Sequence, residues 1–226
     1  MSGFFDYPKS AAFGRVLPKT KIYDHARASA RLKQLFVDQV EQVIWRFKLA
    51  PETINLASTK DISEIQVFGV TLRSASLDEE VLRAIDKAIP YPLIFELVHG
   101  GKRKAIAAYK RPSGADSAKW VVSEYFESEW ESEDKQRAPL PTALNLGSLY
   151  DRLLSALMPD EVGTSEPLEA RVLRTEELRA KSREVERIKG RLSREKQFNK
   201  RVAINAELRA ATNELKKLGR TFKDGD

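Results

Sequence analysis

The sequence predicts an α+β body with a small mixed sheet of about four strands and helices packed on it, followed by a long C-terminal helix of the coiled-coil type. Within the body, stretches rich in β-branched residues alternate with stretches whose apolar residues recur at helical spacing. The C-terminal region differs, because no proline follows Pro167 and Gly190 is the only glycine between Pro167 and Gly219. The 226 residues suffice for one domain and an appendage.

Composition divides the chain into four predicted parts. Residues 1–24 form an irregular lead-in, residues 25–158 the α+β body, residues 159–167 a linker and residues 168–218 a long basic helix. The linker contains the Pro, Gly and Ser residues that are typical of connecting segments. The sequence has no cysteine, which excludes disulfides and thiolate metal sites and is compatible with a reducing compartment.

The body is predicted to begin with a helix that is capped by Asp24 and ends near Leu49, before Pro51. Its apolar side chains recur three and four residues apart, as on a helix that faces a core. They are Leu32, Leu35, Phe36, Val40, Val43, Ile44 and Phe47. Residues 53–56 follow as a short strand or turn.

The clearest strand runs from Ile62 to Leu72, and its many β-branched residues are apolar on both faces, which favours the centre of a sheet. Ser76 and Glu79 have the spacing of a capping box, so we expect a helix from there to about Ile89. The other elements are strands at 93–98, 104–110 and 120–127 and a helix at 148–157. Gly100-Gly101 predicts a tight turn between the first two of these strands.

Two apolar seams follow heptad spacing along the predicted long helix, and they are out of phase with each other. The first contains Val185, Ile188, Leu192 and Val202, and the second contains Ile204, Leu208, Ala211, Leu215 and Leu218. A helix with so narrow an apolar stripe cannot bury itself alone. We therefore expect it to pair with a second copy of the chain, with an antiparallel helix or with another protein.

Positive charge is concentrated in the same region. The chain has a formal net charge of +6, yet residues 1–165 contain 22 basic and 22 acidic side chains. The basic excess indicates a surface for nucleic acid or an acidic partner. The predicted binding residues are Arg187, Lys189, Arg191, Arg194, Lys196, Lys200 and Arg201. The alternative is a solvated helix face whose charges pair with each other.

No catalytic residue, cofactor or metal site is predicted. The only catalytic alternative is a metal-dependent nuclease that uses Asp61, Glu64 and Glu96, because such enzymes need acidic residues that converge from neighbouring strands. Glu64 and Gln66 have the spacing of a Glu-x-Gln step, but the order of elements does not match a restriction-type nuclease. A serine nucleophile is not predicted either. The two histidines, His25 and His99, are far apart in the sequence, and there is no Gly-x-Ser-x-Gly motif.

Several stretches together resemble an uncharacterised bacterial family, a domain of unknown function. They are residues 17–23 (LPKTKIY), 35–41 (LFVDQVE), 45–56 (WRFKLAPETINL), 85–95 (IDKAIPYPLIF) and 195–202 (EKQFNKRV). Members of that family are often encoded beside type III-like restriction methyltransferases and helicases in defence loci. The resemblance implies an accessory subunit of a DNA-processing system, with a helicase or a DNA methyltransferase as partner. It supplies no catalytic residue.

The leading hypothesis is therefore a non-enzymatic accessory subunit in bacterial defence or restriction, which contacts a partner enzyme or DNA through its basic C-terminal helix. A structural coiled-coil oligomerisation factor is the other alternative, and a homodimer through that helix fits both. The sequence lacks a signal peptide and any run of about 18 apolar residues, so we expect a cytoplasmic protein without a membrane span.

Overall fold

The computed structural model describes residues 3–114, 120–159 and 166–221. The chain divides into two compact units, Met1–Met158 and Pro159–Asp226. Most of the predicted linker, residues 160–165, lies outside the described residues.

The N-terminal segment contains more regular structure than the predicted irregular lead-in. Strand β1, Phe5–Asp6, pairs in parallel with β9, Ala138–Pro139. A short 3-10 turn and strand β2, Ala12–Val16, follow, and β2 forms one edge of the main sheet. Helix α1, Lys19–Ala26, then ends at Arg27, which takes a left-handed conformation.

The predicted helix from Asp24 to Leu49 is wrong in its second half. Helix α2 spans only Ala30–Gln39, and Ser29 caps it by accepting a hydrogen bond from the backbone N–H of Leu32. Strand β3, Val40–Leu49, follows without a break. Its Val, Ile, Trp and Phe side chains favour extended structure, and pairing with the next strand overrides the helical spacing.

Helix α3, Pro51–Ile54, follows β3 and replaces the strand or turn expected at 53–56. The middle of the unit is then a β-α-β crossover, in which two parallel strands are joined by a helix. Strand β4, Ile65–Leu72, and strand β5, Leu93–His99, are parallel neighbours joined by α4, Glu79–Ala88. The cap of α4 is Asp78 rather than Ser76, since Asp78 accepts from the backbone N–H of Glu80.

The last part of the unit adds antiparallel strands. Strand β6, Lys102–Pro112, returns beside β5 and pairs with both β7, Trp120–Glu127, and the short β8, Glu131–Ser132. Helix α5, Leu146–Ser155, begins at Asn145, whose side chain accepts from the backbone N–H of Ser148.

The predicted α+β class is confirmed, but the sheet is larger than the predicted four strands. Within the described residues it has seven strands, in the order β2-β3-β4-β5-β6-β7, with β8 also paired to β6. The predicted strands correspond to β4, β5, β6 and β7. The three additional strands are β3, where a helix is predicted, and β2 and β8, where no strand is predicted.

One face of the sheet carries an apolar core with α1, α2 and α4. Phe68 and Phe95 from the central strands pack there with Phe36 of α2 and Ile85 of α4, all nearly inaccessible to solvent. Residues that alternate with these point to the opposite face. One of them is Glu96, which is charged and buried.

The second unit is a pair of helices, not the single long helix predicted for residues 168–218. Helix α6 spans Leu168–Arg194 and helix α7 spans Phe198–Thr221. Between them Glu195 has an extended backbone, with φ −78° and ψ 129°. The helical character of the region is therefore as predicted, but the helix is interrupted at residues 195–197.

Candidate nucleic-acid interface

Helices α6 and α7 pack against each other through apolar residues of the two predicted seams. Val185 and Ile188 of α6 are buried with Ile204 and Ala211 of α7. Leu192, Leu208 and Leu215 border this cluster. The seams are out of phase because they lie on two helices that face each other. Val202, predicted to lie on the first seam, is 54% exposed instead.

Two ion pairs show that the helices are antiparallel. Nη1 of Arg191, near the end of α6, lies 2.9 Å from Oε1 of Glu207. Lys181, ten residues earlier on α6, pairs with Glu214, seven residues later on α7. Glu207 and Glu214 are the two acidic residues of α7, so both are engaged by cations of α6.

The turn of this hairpin consists of Glu195, Lys196 and Gln197. Oε1 of Glu195 accepts a hydrogen bond from the backbone N–H of Gln197, at 2.8 Å. This bond occupies a donor at the start of α7 that has no partner within the helix. It is also the main reason that the pKa of Glu195 lies below its ordinary value. The only carboxylate of the turn is therefore committed to the backbone.

The excess of positive over negative charge in the chain is located at the end of the hairpin. We call residues 187–201 the basic tip; they contain seven Lys or Arg residues and one acidic residue, Glu195. Removing these from the 39 basic and 33 acidic residues of the chain leaves 32 of each. The net charge of the basic tip thus equals that of the whole chain, +6.

The structure brings the seven predicted binding residues together on this tip, and all seven are exposed. Two of them have ion-pair partners: Lys189 pairs with Glu186, and Arg191 pairs with Glu207. In the part of the chain that the structure describes, the other five form no ion pair. These five are Arg187, Arg194, Lys196, Lys200 and Arg201. Their charges are available to an anionic partner.

Two apolar side chains at the start of α7 are exposed, although the sequence pattern predicts neither as a surface residue. Phe198 is 78% exposed and Val202 is 54% exposed. They lie one turn apart on α7, and helical neighbours four residues apart share a face. Their exposure becomes predictable only when the opposite face of α7 is known to contact α6.

The three carboxylates of the nuclease alternative do not form a site. Register places Glu96 beside Gly69, five residues beyond Glu64, which corresponds to about 16 Å along the strand. Asp61 is exposed. Across the described ranges, no group of three or more His, Cys, Asp or Glu side chains could hold a metal ion.

Each buried glutamate of that set has protein partners instead. Oε1 of Glu64 accepts from Nε2 of Gln66 at 2.5 Å, and Nζ of Lys48 lies 3.5 Å from Oε2 of Glu64. Glu96 is neutralised by two arginines, Arg46 and Arg137. With the charge of Glu96 satisfied in this way, it supplies no open ligand for a cation.

One family model matches both the sheet and the hairpin. The model for the domain of unknown function DUF4391 matches residues 5–215. The chain belongs to the DUF4391 family. The match to DUF4391 includes the whole sheet and most of the helical hairpin, so the hairpin is part of the family domain and not an addition to it. No curated protein and no solved structure matches this DUF4391 chain.

Among the helices of the described residues, none is long and apolar enough to cross a bilayer. Helices α6 and α7 are long, but charged residues recur along both of them.

Proposed function

We propose that the chain is a non-enzymatic accessory protein that binds nucleic acid through the basic tip of its α6–α7 hairpin. The observation that carries the proposal is the concentration of the entire net charge on the basic tip, with five exposed cations that lack an ion-pair partner among the described residues. Nucleic acid is the biological polyanion whose binding is dominated by such contacts, since each neutralised phosphate releases condensed counterions.

The paired and unpaired cations of the hairpin have different roles in this proposal. Arg191 and Lys181 hold α7 against α6 through Glu207 and Glu214. Arginines of the basic tip such as Arg194 present a planar guanidinium group that can bind one phosphate through two hydrogen bonds. Its lysines add point charges on flexible stems. One set of charges is thus paired between the two helices, and another set is exposed to a partner.

The partner enzyme in this proposal is a DNA-processing enzyme, either a helicase or a DNA methyltransferase, and the setting is bacterial defence or restriction. This part is supported by the resemblance of five stretches of the sequence to a family that is often encoded beside such enzymes. The basic tip suits an accessory role, because it can position a nucleic-acid substrate without supplying catalytic groups.

The decisive experiment compares two charge-reversed variants of the full chain. The tip variant carries Arg194, Lys196, Lys200 and Arg201 replaced by Glu. The control variant carries Lys9, Lys21, Lys60 and Lys87 replaced by Glu, which are exposed lysines of the first unit without ion-pair partners among the described residues. Both variants undergo the same change in net charge. Binding to a labelled DNA duplex of about 20 base pairs is measured by fluorescence anisotropy over a salt series.

We expect the wild type and the control variant to bind with affinities that fall together as salt rises. The tip variant should bind at least about tenfold more weakly, with a log–log salt slope reduced by about one for each phosphate that it no longer neutralises. Equal binding by the tip variant and the control, or binding that does not respond to salt, would overturn the proposal. Matching thermal unfolding curves for the two variants exclude misfolding as the cause.

A further inference from the structure

One flank of α7 forms an exposed stripe that begins at the basic tip. At 3.6 residues per turn, six exposed residues between Phe198 and Lys216 fall within about 60° of the direction of Phe198. They are Arg201, Val202, Asn205, Arg209, Asn213 and Lys216, and the half-buried Thr212 lies among them. We call Phe198 and these six exposed residues the outer stripe. At about 1.5 Å per residue it is about 27 Å long.

The outer stripe contains no acidic residue. The two glutamates of α7, Glu207 and Glu214, lie about 160–180° around the helix from Phe198. They pair with Arg191 and Lys181 of α6. The negative charge of α7 is therefore kept on the flank that faces α6 cations, while the three cations of the outer stripe form no ion pair within the described residues.

Phe198 is the second feature of the outer stripe. It is the only aromatic residue among the large apolar side chains that are exposed in the described ranges. It lies at the first position of α7, between Lys196 and Lys200 in sequence and one turn before Arg201. An exposed aromatic ring beside unpaired cations is the combination with which proteins hold single strands, because bases stack on the ring while cations contact the phosphates.

We infer that the outer stripe binds a single-stranded segment of nucleic acid, with an unpaired base stacked on Phe198 and the backbone following Arg201, Arg209 and Lys216. The inference rests on the proposed function and narrows it to unpaired substrate. A duplex hides the faces of its bases within the helix stack, so Phe198 can stack only on a base that is unpaired. The length of the stripe accommodates a strand of a few nucleotides, at the lower end of single-strand sites.

A membrane surface fits the outer stripe less well. A helix that lies in a bilayer interface needs a broad apolar face along its length. The outer stripe has two apolar side chains, Phe198 and Val202, and both are at one end. Polar and basic side chains occupy the remainder.

The test uses the full chain with Phe198→Ala, Phe198→Tyr, and Leu173→Ala as a matched control. Leu173 is an exposed apolar residue of α6, 58% accessible, outside the basic tip. The labelled probes are a thymidine strand of about 20 nucleotides, a uridine strand of the same length and a duplex of about 20 base pairs. Anionic phospholipid vesicles are the fourth probe.

We expect the wild type to bind the single strands more tightly than the duplex. Phe198→Ala should weaken single-strand binding by roughly fivefold to a hundredfold, the range for the loss of one stacked base, and leave duplex binding unchanged. Phe198→Tyr, which keeps the ring, and Leu173→Ala should match the wild type. The two single-strand probes distinguish DNA from RNA, and tight binding of either supports the inference.

Three results would overturn the inference. The first is duplex binding at least as tight as single-strand binding, the second is a Phe198→Ala variant that binds all probes like the wild type, and the third is binding to vesicles alone. With the first two results, salt-dependent binding that requires the basic tip would leave the proposed function standing. A chain that binds neither strands nor duplex would overturn the proposed function and this inference together.

Discussion

Arg137 and Glu96 form a bidentate ion pair in which Nη1 lies 2.6 Å from Oε1 and Nη2 lies 2.9 Å from Oε2. The side chain of Glu96 is 1% exposed, and Nη1 of Arg46 approaches its Oε2 at 2.8 Å. Gly69, the strand neighbour of Glu96, leaves room for Arg46, because a Cβ at Gly69 would lie 2.7 Å from Cδ of Arg46. The hydrogen bond to Glu96 is the main cause of the raised pKa of Arg137. The pair thus fixes the segment before β9 to the centre of the sheet.

Replacing Arg137 by Met should destabilise the first unit, because Glu96 would remain buried with Arg46 as its only cation. We expect the free energy of unfolding to fall by about 3 kcal/mol, the lower end for breaking a buried pair. Urea unfolding followed by circular dichroism measures the change. Arg31→Met is the matched control, since Arg31 and Glu80 form an exposed pair. Its cost should be below about 1 kcal/mol, and equal costs for the two variants would contradict the assignment.

Lys110 and Asp86 are a second buried pair, and their protonation should make stability depend on pH. Nζ of Lys110 donates to the backbone carbonyls of Asp86 and Ile89, each at 2.5 Å, and lies 3.4 Å from Oδ1 of Asp86. Asp86 also accepts a hydrogen bond from the hydroxyl of Tyr125. Burial lowers the pKa of Lys110 and raises the pKa of Asp86, and in each case the partner opposes the shift.

Lys110→Met should therefore cost more stability at about pH 8 than at about pH 5. The pKa of Asp86 is higher in the folded than in the unfolded chain. Its contribution to the free energy of unfolding is therefore fully present below the unfolded pKa and is lost as pH rises through the folded pKa. Without the charge of Lys110, the pKa of Asp86 rises further and the loss grows. Urea unfolding of wild type and variant at both pH values gives the difference. Adding Asp86→Asn should remove the pH-dependent part, and a cost that is the same at both pH values would refute this account.

Local sequence predicts β4, β5, β6, β7 and α4, because each has one dominant pattern between clear turn signals. It fails at residues 40–49, where two patterns coexist. Val40, Val43 and Phe47 have helical spacing, while their residue types favour a strand. The pairing of β3 with β2 and β4 decides between them, and such long-range pairing is not visible in the local pattern.

Local sequence also fails to predict the division of the C-terminal region into α6 and α7. The turn at 195–197 contains neither glycine nor proline, so no local stop signal marks it. The phase difference between the two seams is the one feature of the sequence that indicates a reversal of chain direction. It is also compatible with a stutter in one helix, and local spacing does not separate the two.

The candidate site is predictable in part. Its seven cations follow from charge density alone, and the structure places them on one tip. The distinction between paired and unpaired cations depends on Glu207, which lies on the facing helix. The exposure of Phe198 depends on the same helix pairing, because the face of α7 that carries Phe198 does not contact α6.

Shortening a side chain at the centre of the hairpin core should reduce the stability of the hairpin. Ile188 is fully buried between the helices, so Ile188→Ala should reduce the stability of the hairpin by about 2–4 kcal/mol. Hydrogen exchange of the full chain provides the measurement, with faster exchange expected along α6 and α7 and unchanged exchange in the sheet. Leu173→Ala, at an exposed position of α6, should leave both regions unchanged. A uniform increase in exchange across both units would show that they unfold together.

The pairing of α6 with α7 also bears on the predicted homodimer. Val185 and Ile188 already face Ile204 of the same chain, so these seams are unavailable to a second copy unless the hairpin opens. The unpaired cations of the basic tip would also repel those of a second tip. We therefore expect light scattering of the full chain to give a monomer over a wide concentration range at low salt. A dimer that persists in Ile188→Asp would use another surface, whereas a dimer that this substitution dissolves would mean that the seams pair between chains.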